Sequence, residues 1–256
     1  MVQDKPSSIQ ELNRIVNVAS VSQRSPFRYP GGKTWLIPQI RTWLNSQLKR
    51  PRLLIEPFAG GGIVGLTVAF ESLAVRVLMV ELDEQVASVW KTLLSGDAEW
   101  LADRILKFEM TQESLAKVLN DDELSIRQNA FKTLLRNRTN HGGIMAPGAG
   151  LIKNGEHGKG INSRWYPYTL AKRIRNIGKL ADKIEFIHGD GITVMSKYAM
   201  QSDVVYFIDP PYTAAGKKAG TRLYKHNALN HEELFELAET LQGEFLMTYN
   251  DAAGVR

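Results

Sequence analysis

Cysteine is absent from the 256 residues, which excludes disulfides, a thiolate metal site and a cysteine nucleophile. No uninterrupted apolar run reaches the roughly 18 residues that a membrane helix needs. The opening "MVQDKPSSIQ" lacks the basic-then-apolar pattern of an export leader, and we expect a cytoplasmic protein. The glycine-rich turn near residue 60 lacks the Gly-Lys-Ser/Thr end of a phosphate loop. A ligand other than a phosphate-loop nucleotide is therefore preferred there. Internal repeats are absent too, so a solenoid is not expected.

What is present leans basic. The formal net charge is +5 and the sequence pI about 9.3, which suits a polyanionic partner. Basic residues are dense between Lys132 and Lys183, among them Arg136, Arg138, Arg164, Arg173 and Arg175, with Trp165, Tyr166 and Tyr168 interleaved. A solvated helix face is the plain alternative for such a run.

Along the chain, residues 1–25 are polar and Ser-rich and read as a loosely held arm. "RYPGGKTWLIPQIRTWL" is a Gly-Gly turn that opens an amphipathic helix. "RLLIEPFAGGGIVGLTVAFES" is a short apolar strand, a glycine-rich turn and a helix, and "VRVLMVELDEQVASVWKTLL" repeats strand then helix with an acidic end between them. Such alternation predicts a parallel sheet covered on both faces. Residues 97–135 read as polar helix, and 137–168 are rich in glycine, which is loop and hairpin chemistry. Strand patterns return in "IEFIHGD", "VVYFIDPPY" and "EFLMTYND". Before the last lies a helix that Asn230 and Glu233 can cap, with Leu234, Leu237, Ala238 and Leu241 as its buried stripe. The expected organisation is an arm at 1–25, two halves of one sheet domain at 26–95 and 181–256, and an insertion at 96–180.

In open parallel sheets, ligands bind beyond the carboxyl ends of the strands. Four such ends carry acids: Glu56, Glu81, Asp190 and Asp209. Glycines after Glu56 let a ligand approach the backbone closely. An acid such as Glu81 can accept the hydroxyls of a ribose. "YFIDPPY" raises a sharper question, because it puts an acid and two prolines where an apolar strand ends. An exocyclic base amine has its lone pair delocalised into the ring. Asp209 accepting one N–H and the stiff carbonyl of Pro210 accepting the other would turn that lone pair toward an electrophile. Tyr212 offers a ring face on which a flipped base can stack.

With these residues in view, the chain resembles the Dam-like DNA adenine methyltransferases that use S-adenosylmethionine, over most of its length from Phe27 to Asp251. "RYPGGK" looks like the family's N-terminal cofactor motif, with Tyr29 and Lys33 in place. "EPFAGGG" looks like its main cofactor motif, carrying Glu56, Pro57, Phe58, Gly60 and Gly62. Glu81 matches the ribose-binding acid, Asp190 an acid near the cofactor adenine, and Asp209, Pro210, Pro211 and Tyr212 the catalytic motif. The resemblance implies a doubly wound, mostly parallel, Rossmann-like methyltransferase sheet (an α/β fold) with a helical and hairpin target-recognition insertion. It implies methyl transfer to adenine in double-stranded DNA by base flipping, with no metal and no membrane. "LRNRTNHGGIMAPG" and "NSRWYP" resemble the recognition region, so Arg136, Arg138, Asn140, His141 and Arg164 are candidate DNA contacts, as are Lys217, Lys218 and Arg222 beside the catalytic motif. The segment from Arg136 to Trp165 is expected to set the target sequence without touching cofactor affinity.

Other acceptors stay open: cytosine in DNA, adenine in RNA, or a protein glutamine. Cytosine enzymes more often carry Ser, and glutamine enzymes Asn, where this chain has Asp209. A DNA-binding relative without catalysis is the remaining alternative. Related enzymes usually continue past the strand ending at Tyr249 into a helix and a closing hairpin. Only "AAGVR" follows "EFLMTYND" here, so the hairpin is expected to be missing, with cofactor binding retained and catalysis weakened.

Overall fold

Central parallel strands are buried on both faces and therefore read as unbroken apolar runs. Two of the five strands, β1 (Leu53–Glu56) and β4 (Val204–Ile208), are buried throughout. The structure, a computed structural model, describes residues 21–28, 31–122, 124–145, 149–211 and 229–249. With β2 (Arg76–Glu81), β3 (Ile184–His188) and β5 (Phe245–Met247), these strands form one sheet in the order β3-β2-β1-β4-β5, every pairing parallel. Five strands and their positions agree with the expectation. β1 and β4 are neighbours although the chain leaves β1 toward β2, so the strand order reverses between them. That reversal opens a crevice at their carboxyl ends.

Alternation along the strands feeds two cores. Leu54, Val77, Met79, Val205 and Phe207 face one, while Leu53, Ile55, Leu78, Val80, Val204, Tyr206 and Ile208 face the other. The first core is covered by α1 (Ile37–Asn45), α2 (Ile63–Glu71) and α3 (Glu84–Leu94). The second is covered by α8 (Gly191–Tyr198), through Ile192, Val194 and Met195, and by α9 (His231–Thr240), through Leu234. The Asn230 side chain caps α9 by accepting from Glu233 N at 3.3 Å.

Residues 96–180 contribute α4 (Ala98–Leu106), α5 (Gln112–Leu119), α6 (Ile126–Thr139) and α7 (Pro167–Gly178). α6 packs on α3 and α7 on α4, and Leu101, Phe131, Leu134, Trp165 and Ile174 join the first core. The insertion thus shares its interior with the sheet. Among the described residues, the expected hairpin is reduced to one antiparallel bridge, Asn140 to Leu151, flanked by short 3-10 turns. Most of the expected loose arm lies outside the described residues, but its end is bound down. Val21 and Phe27 are buried, Arg24 pairs with Glu71 at 2.9 Å, and the Ser25 hydroxyl donates to the carbonyl of Gly61.

Candidate active site

Four strand ends converge. A cavity of about 480 Å³ opens where β1, β2 and β4 finish, and Lys33, Glu56, Pro57, Phe58, Gly60, Gly62, Glu81, Asp190, Asp209, Pro210 and Pro211 all line it. Its floor is the turn from β1 into α2. Gly60 N donates to Glu81 Oε2 at 2.8 Å, Trp90 Nε1 donates to Gly60 O at 3.0 Å, and Ala59 N donates to Val80 O at 2.9 Å. Gly62 caps α2 with φ of 62°, and a Cβ there would stand 2.5 Å from Met79 Cε and 2.7 Å from the Trp90 ring. Glycine is required at this position on both counts.

The acids are not equivalent. Glu56 is buried, and its Oε2 accepts from Gly65 N at 2.8 Å in the first turn of α2. Burial raises its pKa to about 8, with the charges of Asp209 and Glu81 pushing the same way. Burial also lifts Glu81 to about 7, against the backbone donors of Asp83 and Gly60. Asp190 caps α8, its Oδ1 accepting from Thr193 N at 2.7 Å, and the residue lines the cavity. Asp209 is gripped on both sides. Lys33 Nζ lies 2.7 Å from Oδ2, and Thr248 Oγ1 donates to Oδ1 at 2.6 Å. Lys33 is tied down in turn by donating to Gly31 O at 2.8 Å.

The far wall comes from residues that were not among the expected site residues. Phe27, Arg28, Gly142, Gly143, Met145 and Arg173 all line the cavity. Asn137, fully buried on α6, ties two of these segments together. Its Oδ1 accepts from Arg28 N at 2.8 Å, and its Nδ2 donates to Arg28 O at 3.0 Å and to Gly143 O at 2.9 Å. An asparagine inside "TLLRN" was the available signal, since a buried amide must find partners. Thr248 had no comparable signal in "EFLMTYND".

The candidate DNA contacts distribute differently. Asn140 is buried, its Nδ2 donating to Ile144 O at 2.9 Å, so the side chain serves the loop rather than reaching outward. Arg136 approaches Gln85 Oε1 at 3.4 Å, and His141 is exposed. Arg138 is buried, and it lines a second pocket with Arg164. Tyr29, Tyr212, Lys217, Lys218 and Arg222 lie outside the described residues.

Comparison with known proteins decides the family. The family model described as D12 class N6 adenine-specific DNA methyltransferase matches residues 29–254. The chain belongs to this family. As a D12 class methyltransferase it is 24% identical over 230 residues to the type II methyltransferase M.MjaIII of Methanocaldococcus jannaschii, a match covering 84% of this chain and 78% of that one. It is 24% identical over 224 residues to a DNA adenine methylase of Vibrio cholerae, covering 85% and 75%. Against the DNA N-6-adenine-methyltransferase of Escherichia phage P1 it is 26% identical over 254 residues, spanning 95% of this chain but 32% of the phage protein. A D12 class methyltransferase needs a methyl donor, and the strand-end cavity has the size for a small molecule. Its 480 Å³ falls in the usual range for small-molecule sites, roughly 300–1,000 Å³.

Proposed function

We propose that the chain takes its methyl group from S-adenosylmethionine and places it on the exocyclic amine of an adenine turned out of duplex DNA. The donor supplies a methyl group on a positively charged sulfur. The chain's residues fit it: a glycine turn whose Gly60, Gly61 and Gly62 line the cavity, and acidic walls at Glu56, Glu81 and Asp190 for a molecule with two cationic centres and a ribose. Asp209 accepts one N–H of the target amine and the carbonyl of Pro210 the other, which aims the lone pair into the cavity. Lys33 and Thr248 hold the Asp209 carboxylate in that orientation. Tyr212 is assigned the stacking face and Tyr29 a place at the donor, while Lys217, Lys218 and Arg222 are assigned to the strand beside the flipped base. The observation that carries this reading is the meeting of four strand-end acids in one cavity, with Asp209 held at both oxygens. Tritium transfer from labelled donor to defined oligonucleotides, followed by nucleoside analysis, tests it. Label in N6-methyladenine from duplex DNA is expected; label in cytosine or only in RNA overturns the assignment, and absence of donor binding in a calorimetric titration overturns it altogether.

Donor binding should strengthen as pH rises. A carboxyl whose pKa is higher in the fold than its ordinary 4.5 contributes stability that is fully present below 4.5 and is lost as pH climbs through the folded values, about 7 for Glu81 and about 8 for Glu56. A bound cation lowers both values, so binding releases protons below pH 8. The melting temperature gained from saturating donor should be larger near pH 8.5 than near pH 6. Calorimetry in two buffers of different ionisation enthalpy should show proton release at neutral pH. Equal gains at both values, with no release, would remove the two glutamates from the donor site.

Target choice we assign to the insertion, with one change from the sequence-based expectation. Gly142, Gly143 and Met145 line the cavity, so a swap beginning at Arg136 would disturb the donor site as well. Exchanging residues 149–165 alone should alter or abolish the methylated sequence while donor affinity stays within about twofold, a change under 0.5 kcal/mol. Methylation-sensitive sequencing showing an unchanged target would place recognition elsewhere.

A further inference from the structure

A second pocket, about 210 Å³, lies where α7 begins, and four arginines line it: Arg28, Arg138, Arg164 and Arg173. No acidic residue is among its described lining residues. Arg138 enters from α6 and is 6% exposed. One of its terminal nitrogens donates to Pro26 O, but its Nε is buried with no hydrogen-bond partner. Burial, together with the charges of Arg173 and Arg28, lowers its pKa to about 10. Arg173, on α7, donates to Ser25 O at 3.2 Å and is likewise shifted down by burial. A buried guanidinium facing like charges is unfavourable until an anion enters among them. The helix adds to this field. α7 has 12 residues, no side-chain cap, and its positive end at the pocket, where Thr169 of its first turn forms part of the wall.

We infer that this four-arginine pocket binds a backbone phosphate of the DNA next to the target adenine. The guanidinium fork matches a phosphate oxygen pair, which a carboxylate-lined or apolar pocket would not. Position selects the source of the phosphate. Arg28 and Arg173 line both this pocket and the donor cavity, so the two share a wall. A nucleotide turned into the cavity brings its flanking phosphates to that wall. Tyr166, 55% exposed at the pocket rim, offers a ring beside the same strand. This assignment rests on the proposed action on duplex DNA.

The test reads binding, not catalysis. Duplex affinity is measured across roughly 50–200 mM salt for the wild-type chain and for Arg164→Gln and Arg138→Gln. Each variant should bind target and non-target duplexes about tenfold more weakly, with the slope of log affinity against log salt reduced by about 1. Inorganic phosphate, against chloride at equal ionic strength, should raise the melting temperature of the wild type and not of the variants. Arg164 is half-buried whereas Arg138 is buried, so Arg164→Gln carries the test if Arg138→Gln fails to fold. Unchanged salt slopes in a folded Arg164→Gln overturn the proposal. Unchanged slopes with lost phosphate protection show a site for free oxyanions only, and also overturn it. A wild-type chain that binds duplex with the full slope and transfers no methyl group sinks the catalytic reading while the pocket stands.

Discussion

Asp209→Ala should reduce methyl transfer by about a thousandfold or more, the range seen when a positioned acid–base or electrostatic group is removed from an active site. The reason is geometric. An amine conjugated to a purine ring is a poor nucleophile, and orienting its lone pair supplies much of the rate. Asp209 stands where β4 leaves the sheet, with Lys33 on one oxygen at 2.7 Å and Thr248 on the other at 2.6 Å. Alanine removes the acceptor and leaves both partners facing an empty position. Duplex affinity should remain near that of the wild type, because the DNA contacts are assigned to Arg28, Arg138, Arg164, Arg173, Lys217, Lys218 and Arg222, and Asp209 is not among them. Single-turnover transfer measures the rate and fluorescence anisotropy the binding. A variant that kept most of its rate would mean that Asp209 does not orient the amine. Asp209→Asn separates charge from shape, since it keeps the size while removing the carboxylate that Lys33 pairs with.

The second large effect is expected at Gly62. Alanine there would have to adopt φ of 62° and place its Cβ 2.5 Å from Met79 Cε and 2.7 Å from Trp90. A left-handed conformation costs about 1–2 kcal/mol, and overpacking a well-packed interior about 1–3 kcal/mol more. For a chain of this size that corresponds to a melting temperature lower by about 10 °C. The injury reaches the site as well, because Trp90 Nε1 also holds Gly60 O, and pushing the ring displaces the floor of the cavity. Donor affinity should fall at least about tenfold, or 1.4 kcal/mol. Gly96→Ala isolates the backbone cost. Gly96 has φ of 99°, but nothing lies within 4 Å of its added Cβ. Thermal melting with and without donor distinguishes the two variants. A Gly62→Ala protein that melted and bound donor like the wild type would show that Met79 and Trp90 yield freely.

The strands and the four acids were legible for one shared reason. A central parallel strand is covered on both faces, so its residues are all apolar, as in "LLI" and "VVYFI", and a charged residue at its end stands out. Helix starts were legible because capping is local: Asn230 reaches Glu233 N within one turn. The same local signals misled where tertiary contacts intervened. Polar, Ser-rich residues at 1–25 read as a loose arm, yet at its end Val21 is buried, Arg24 pairs with Glu71 and the Ser25 hydroxyl donates to Gly61 O in the glycine turn. Asn140 read as a DNA contact, yet just past the end of α6 it is buried with its Nδ2 donating to Ile144 O.

The sequence by itself therefore determined the α/β class, the five strands, the glycine turn and the identity of Glu56, Glu81, Asp190 and Asp209, since each is written in a pattern no longer than a strand and its following turn. Tertiary structure alone decided the strand order, the pairing of Lys33 and Thr248 with Asp209, the clamp of Asn137 on Arg28 and Gly143, and the meeting of four arginines around one pocket. Hydrogen bonds and charge pairs act over a few ångströms of space, whatever the separation along the chain. Only the packing of α6 and α7 against the sheet brings those distant side chains within that range.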